Sequence, residues 1–423
     1  MELRRTDCEL RRIVIVGGGV AGVSTAAALR SGGYDGELTL VDAGEFPYDR
    51  PPLSKDFLTG VKDLTDLALQ PPDWYDAQSI RLLAKTMVAA IQPSSGTVEL
   101  AGGKVLQADR VVLATGGGAA RPPIPGLDDH RVHVLRTAED AERLRSALVP
   151  GARLLVVGAG LIGAETAATA AGLGCDVVLV DPVSPPLTAA VGPLMASWLH
   201  EMHTRRGVTT VQATVEAFSA HSHGLAAQLS GEDAPRVFDA VVLGVGMTPS
   251  TGLAEAAGLE CDGGIVVDAG QTTSHPAVLA VGDPTRRRVN GLLMRRAEHW
   301  EAAQYDGKRA AATLLGATVP RPAAFWFWTD RHGVHVEVVG EMAKATSAVV
   351  RGEPAEGGRF SVFGLLDGRV VAAAAVDDSA AVRAARRMID RGVPADAGAL
   401  ADPATDLRAL LRRRPEPTAA AVP

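Results

Sequence analysis

"RRIVIVGGGVAGVSTAAALRSGGYDGELTLVDAGE", residues 11–45, decides the fold. Its apolar run Ile13 to Val16 has the length and continuity of a strand buried on both faces. Glycines follow at Gly17, Gly19 and Gly22, and an alanine-rich helix comes after them. A second apolar run, Leu38 to Val41, ends in Asp42. Strand, GxGxxG turn, helix, strand and acid form a βαβ cradle for a dinucleotide. The glycines let the backbone turn tightly and approach a pyrophosphate on the helix N-terminus, and the acid accepts the ribose hydroxyls. Glu45 is the second candidate for the acid. The bland alternative is a glycine-rich turn with no ligand.

The arrangement recurs in "ARLLVVGAGLIGAETAATAAGLGCDVVLVDP". Here the strand Leu154 to Val157 precedes Gly158, Gly160 and Gly163, and the helix starts near Leu161 and Ile162. The strand Val177 to Val180 ends in Asp181. Two cradles imply two dinucleotides, most economically a resident flavin and an exchanging nicotinamide. The residues after Asp181, "PVSPPLTAAVG", hold no arginine or lysine to receive a 2′-phosphate, so NADH is expected over NADPH. Two further strand ends suit the flavin. "VVLATGGG" offers the small turn Ala114, Thr115 and Gly116, and "AVGD" puts Asp283 just after Gly282, placed for ribityl hydroxyls.

The rest of the chain sets limits. At 423 residues it exceeds one ordinary domain. A net charge of −7 argues against a general nucleic-acid surface. Three cysteines, Cys8, Cys175 and Cys261, show no CxxC, which excludes a disulfide framework and argues against a cysteine-ligated metal. A reducing, cytoplasmic setting fits, and the N-terminus reads as neither signal peptide nor membrane span. From about Pro320 the texture changes. "FWFWTDRHGVHVEVVGE" and "RFSVFGLLDGRVVAAAAVD" alternate like antiparallel strands, "SAAVRAARRMIDRG" reads as a helix, and a proline-rich tail, 412–423, is expected to be disordered. The stretch "PYDRPPLSKDFLTG", 47–60, is a stiff ramp of prolines with Lys55 at what reads as a helix start.

Taken together and in this order, "RRIVIVGGGVAGV", "YDRPPLSKDFL", "ATG", "LRTAEDAERL", "GAGLIGAE", "GVGMTPS", "AVGD", "RRAEHWEAA", "FWTD" and "LADPATDLRALL" closely resemble the FAD-dependent, NADH-linked ferredoxin reductases of bacterial oxygenase systems. The resemblance implies an α/β fold of two Rossmann-like domains, glutathione-reductase-like, with a C-terminal α+β interface domain. It places an FAD domain over 1–110 and 238–317, an NADH domain over 111–237 and the C-terminal domain over 318–411. It also puts Lys55 beside flavin N5, where an ammonium stabilises the negative charge that hydride leaves on the ring, with Glu165 as its carboxylate partner.

By the same resemblance Arg50, Pro51, Val88, Arg136, Glu298, His299, Trp300 and Trp328 line the FAD, and Gly244 and Gly246 join the NAD site. His299 alone reads as a packed or capping histidine with no catalytic role. Asp330, Arg331 and His332 stand where the family commonly has Asp-Gln-Tyr. The partner implied is an acidic two-iron ferredoxin, and Arg286, Arg287, Arg288, Arg295 and Arg296 are candidates to dock it. A rubredoxin reductase and an NADH-responsive, non-catalytic flavoprotein are the alternatives. A flavin disulfide reductase would need a redox cysteine near Ser54, and none lies between Cys8 and Cys175.

Overall fold

The computed structural model describes residues 10–321, 323–355 and 357–412. Cys8 and the tail from residue 413 on lie outside the described residues. The chain divides into two units: 1–50, 62–118 and 247–322 form the first, and 51–61, 119–246 and 323–423 the second.

The first unit is built on a five-stranded parallel sheet in the order Val278–Ala280, Arg110–Leu113, Arg12–Val16, Glu37–Val41, Ile80–Leu83. Alternation along these strands gives each face its own core. Ile13, Ile15, Leu38, Leu40 and Val112 pack against the helices Val20–Ser31 and Trp300–Leu314. Val14, Val16, Val41, Val111 and Leu113 face the other way, toward Ile91, Val98 and Leu106 of a three-stranded antiparallel sheet. Every central strand is thus buried on both sides, which is why it reads as an unbroken apolar run. The expected division at 110/111 falls within the strand Arg110–Leu113, which pairs with Arg12–Val16, so the first unit runs on to Gly118.

The second unit repeats the plan. Its parallel sheet runs Thr209–Gln212, Asp176–Asp181, Arg153–Val157, Ala240–Leu243, Val132–Val134. The strand Ala240–Leu243 therefore lies in this unit, although the expected division stood at 237/238. The C-terminal segment adds a five-stranded antiparallel sheet, Trp326–Arg331, Val334–Gly340, Arg369–Val376, Phe360–Leu366, Ser347–Gly352. One face of it meets Met195, Trp198, Leu199 and Met202 of the helix Pro193–Arg205, and the other is covered by the helix Ser379–Arg391. That apolar join explains why the C-terminal segment groups with the second nucleotide fold.

Lys55 does not start an α-helix. Pro51–Ser54 is one 3₁₀ turn, followed by hydrogen-bonded turns such as Thr59 N–H to the Lys55 carbonyl, 3.0 Å. Gly60, at φ +78°, ends the run before an α-helix could nucleate. Among the described residues no helix is long and apolar enough to cross a membrane.

Candidate active site

In the first cradle Gly17 has φ +111°, and a Cβ on Gly22 would fall on the Gly17 carbonyl oxygen. Strand end and helix start are therefore in backbone contact, while Gly19, the helix N-cap, has open space beside it. That combination fits a pyrophosphate resting on the helix N-terminus. Asp42 accepts a hydrogen bond from Gly18 N–H at 2.9 Å through Oδ1. A carboxylate has further lone pairs, so the acid braces the loop and can still receive ribose hydroxyls. Glu45, the second candidate, is exposed and paired with Lys85 at 2.8 Å. The second cradle follows suit: Gly163 lies against the Gly158 carbonyl, and Gly244 packs on Gly163. Asp181 accepts from Ala159 N–H and Val183 N–H, both at 2.8 Å. Leu161 and the exposed Ile162 open the helix there, and Gly246, at φ +104°, follows Gly244.

Other expected contacts fall in both units. In the first, Thr115 Oγ1–H donates to the Ser250 carbonyl at 2.7 Å, next to Ala114 and Gly116. Trp300 Nε1–H donates to Asp49 Oδ1 at 2.8 Å and so fixes the foot of the ramp just before Arg50; nothing in the sequence pattern pointed to Asp49. Glu298 pairs with Arg296, and burial pushes the His299 imidazole down to about 4, leaving it neutral. Val88 is half-buried at a strand start, and Gly282 and Asp283 follow the strand Val278–Ala280. In the second unit Pro51 opens the 3₁₀ turn, and Arg136 N–H donates to Asp140 of the capped helix Ala138–Ala147.

The densest chemistry is in the second unit around Lys55. Its ammonium lies 3.2 Å from Glu165 Oε1 and 3.1 Å from Asp330 Oδ2, and 5.6 Å from the centre of the Trp328 ring. Glu165 is 3% exposed. It also accepts from Ser54 Oγ–H at 2.6 Å, Thr329 Oγ1–H at 2.8 Å and Asp330 N–H at 3.2 Å. The Ser54 carbonyl in turn accepts from Thr169 Oγ1–H at 2.7 Å, which ties the ramp to the second cradle's helix. Trp328 stacks on Trp326 with centroids 5.1 Å apart. Lys55 and Glu165 were expected as a pair; Asp330, Ser54 and Thr329 were not expected to complete it.

Behind Asp330 stands His335, 2.6 Å from its Oδ1 and 3.6 Å from Glu337. Burial works to raise the Asp330 carboxyl, but the His335 hydrogen bond and the Lys55 charge outweigh it and hold it below the usual range. The hydrogen bond to Asp330, then that to Glu337, pushes His335 up to about 10. Its folded pKa is raised, so its contribution to stability is full below about 6.5 and is lost as pH rises through about 10. His335→Gln is expected to flatten the fall in unfolding midpoint over that window; an unchanged slope would remove His335 from the network.

The residues 11–307 match the family described as pyridine nucleotide-disulphide oxidoreductase, and 326–411 match the reductase C-terminal family. The ferredoxin–NAD(+) reductase component of the anthranilate 1,2-dioxygenase system of Burkholderia cepacia is 40% identical, over 94% of this chain and 98% of its own. Putidaredoxin reductase of Pseudomonas putida is 36% identical, over 94% and 96%. The crystal structure of the covalent putidaredoxin reductase–putidaredoxin complex superposes with a TM-score of 0.87 at 34% identity, covering 94% of this chain and 97% of that one. With two cradles, a braced acid in each and a C-terminal sheet, this chain belongs to the pyridine nucleotide-disulphide oxidoreductase family, in its branch that carries the reductase C-terminal domain.

Proposed function

We propose that this chain oxidises NADH and passes the electrons, through FAD, to a two-iron ferredoxin that serves an oxygenase. FAD, when bound, supplies an acceptor that takes a hydride and can give up electrons singly. The first cradle, with Asp42 and Asp283, would hold it, and the second, with Asp181, would hold the nicotinamide dinucleotide. The observation that carries the reading is the Lys55 ammonium, fixed between two carboxylates and over Trp328. A charge held in place beforehand costs no reorganisation when negative charge arrives beside it. Cys175 and Cys261 are free thiols whose pKa values burial raises, which suits neither to dithiol chemistry.

Anaerobic mixing with NADH should bleach the flavin, NADPH should do so far more slowly, and added ferredoxin should restore the colour. An NADH mixture that stays yellow would overturn the reading.

For the ferredoxin we propose docking on the segment Arg286–Arg296. Arg286, Arg288 and Arg296 are each paired, with Asp262, Glu260 and Glu298. These acids reduce the positive field that the arginines alone suggest. Supporting the reading, the same hairpin exposes Leu292, 71%, Met294, 44%, and Val289, 37%, an apolar tip among arginines. Arg288→Glu with Arg295→Glu is expected to raise the KM for ferredoxin about tenfold, with ferricyanide reduction unchanged. Equal loss with both acceptors would place the effect elsewhere.

A further inference from the structure

The strand Trp326–Arg331 alternates, and Phe327, Thr329 and Arg331 take its buried face. Around Phe327 that face is apolar, with Val336 and Val338 beside it and Leu199 and Met202 opposite. Arg331 therefore puts a guanidinium, 4% exposed, where the pattern calls for an apolar side chain. Its Nε–H donates to Thr329 Oγ1 at 3.2 Å, but its Nη2 is buried with no partner among the described residues. Glu165 is the carboxylate that acts on it, and that group is already engaged by Lys55, Ser54 and Thr329. Burial lowers Arg331 to about 10, which still leaves it cationic at neutral pH.

The helix Pro193–Arg205 brings His203, 1% exposed, to the same place. His203 Nδ1 lies 3.0 Å from His332 Nε2, and His203 Nε2 is buried without a partner among the described residues. Burial pushes His203 down to about 2 and His332 to about 4, so both rings are neutral and one proton lies between them. Arg331, His203 and His200 line one small cavity with Ala159, Ala164, Pro186, Ala196 and Leu199. The cavity, about 10 Å³, has room for a single small particle and too little for a phosphate or sulfate.

We propose that this cavity is a binding site for a single halide ion, chloride under ordinary conditions, held by Arg331 Nη2–H and His203 Nε2–H. His332 Nε2–H then donates to His203 Nδ1, which fixes the tautomer that turns an N–H toward the anion. A water could meet both donors but would leave the buried Arg331 with only the charge of Glu165, which Lys55 shares, and that is costly away from solvent.

The test uses the full chain with FAD bound. Crystals soaked in sodium bromide should show an anomalous peak within hydrogen-bonding reach of both nitrogens, and Arg331→Gln should remove it. In melting experiments at equal ionic strength, sodium chloride should raise the Tm of the wild type by a few degrees over sodium gluconate. Arg331→Gln should melt alike in both salts. No bromide peak at this cavity in the wild type, or a chloride-specific gain retained by Arg331→Gln, would overturn the proposal. The bromide experiment decides the matter even if the variant fails to fold.

Discussion

Replacing Lys55 by Met is expected to slow flavin reduction by NADH by about 100- to 1000-fold, the usual effect of removing one preorganised charge from a reacting centre. The FAD content of the purified protein should hardly change. The two expectations separate because they rest on different parts of the chain. The first glycine cradle, Asp42 and Asp283 belong to the first unit, whereas Lys55 is held within the second by Glu165, Asp330 and the Trp328 ring. Its side chain is 17% exposed, so its position is set by these neighbours rather than by solvent. Lys55→Arg keeps the charge but not the compact ammonium geometry, and should fall between wild type and Lys55→Met. Stopped-flow bleaching at saturating NADH gives the rate, and the flavin-to-protein absorbance ratio gives the content. If the two fall together, Lys55 is a cofactor-binding residue and the electrostatic role is wrong.

How far the chain could be read in advance depends on how local each feature is. The cradles were legible because strand, glycines, helix and acid all lie within a few dozen residues, and each must be what it is for backbone reasons. Gly22 on Gly17 and Gly163 on Gly158 are such constraints. The bracing of each loop by Asp42 and Asp181 was missed, because an acid at a strand end looks the same whether it faces a ribose or an amide.

The Lys55 site was legible only through resemblance. Ser54 and Thr329 reach Glu165 across 111 and 164 residues, and no periodicity encodes such a meeting. It follows from the edge strand Trp326–Arg331 lying beside the helix Leu161–Gly172. The ion pairs of the arginine cluster were not legible for the same reason: Asp262 and Glu260, which pair with Arg286 and Arg288, come from an earlier segment. Lys55 was expected at a helix start, but the run up to Gly60 is too short to nucleate one.

Glu165→Gln should cost the second unit about 3 kcal/mol, the lower end of what breaking a buried ion pair costs. The side chain keeps its shape, and one amide oxygen can still accept from Thr329 or Asp330. What it loses is the negative charge between two cations, Lys55 at 3.2 Å and the buried Arg331 beyond Thr329. Asp330 cannot replace it fully, because it is 37% exposed and shared with His335. Removing the cation as well should restore part of the loss. In Glu165→Gln/Lys55→Met the pair is replaced by neutral groups, and its destabilisation should fall short of the sum of the single changes by about 2 kcal/mol. Hydride transfer in the double variant should nevertheless stay as slow as in Lys55→Met, since the missing ammonium is common to both. Three of the five tryptophans, Trp198, Trp326 and Trp328, lie in the second unit, so their fluorescence during denaturation reports on the unit where the pair sits. Additive losses would mean that Glu165 stabilises the unit through its hydrogen bonds to Ser54 and Thr329 rather than through its charge.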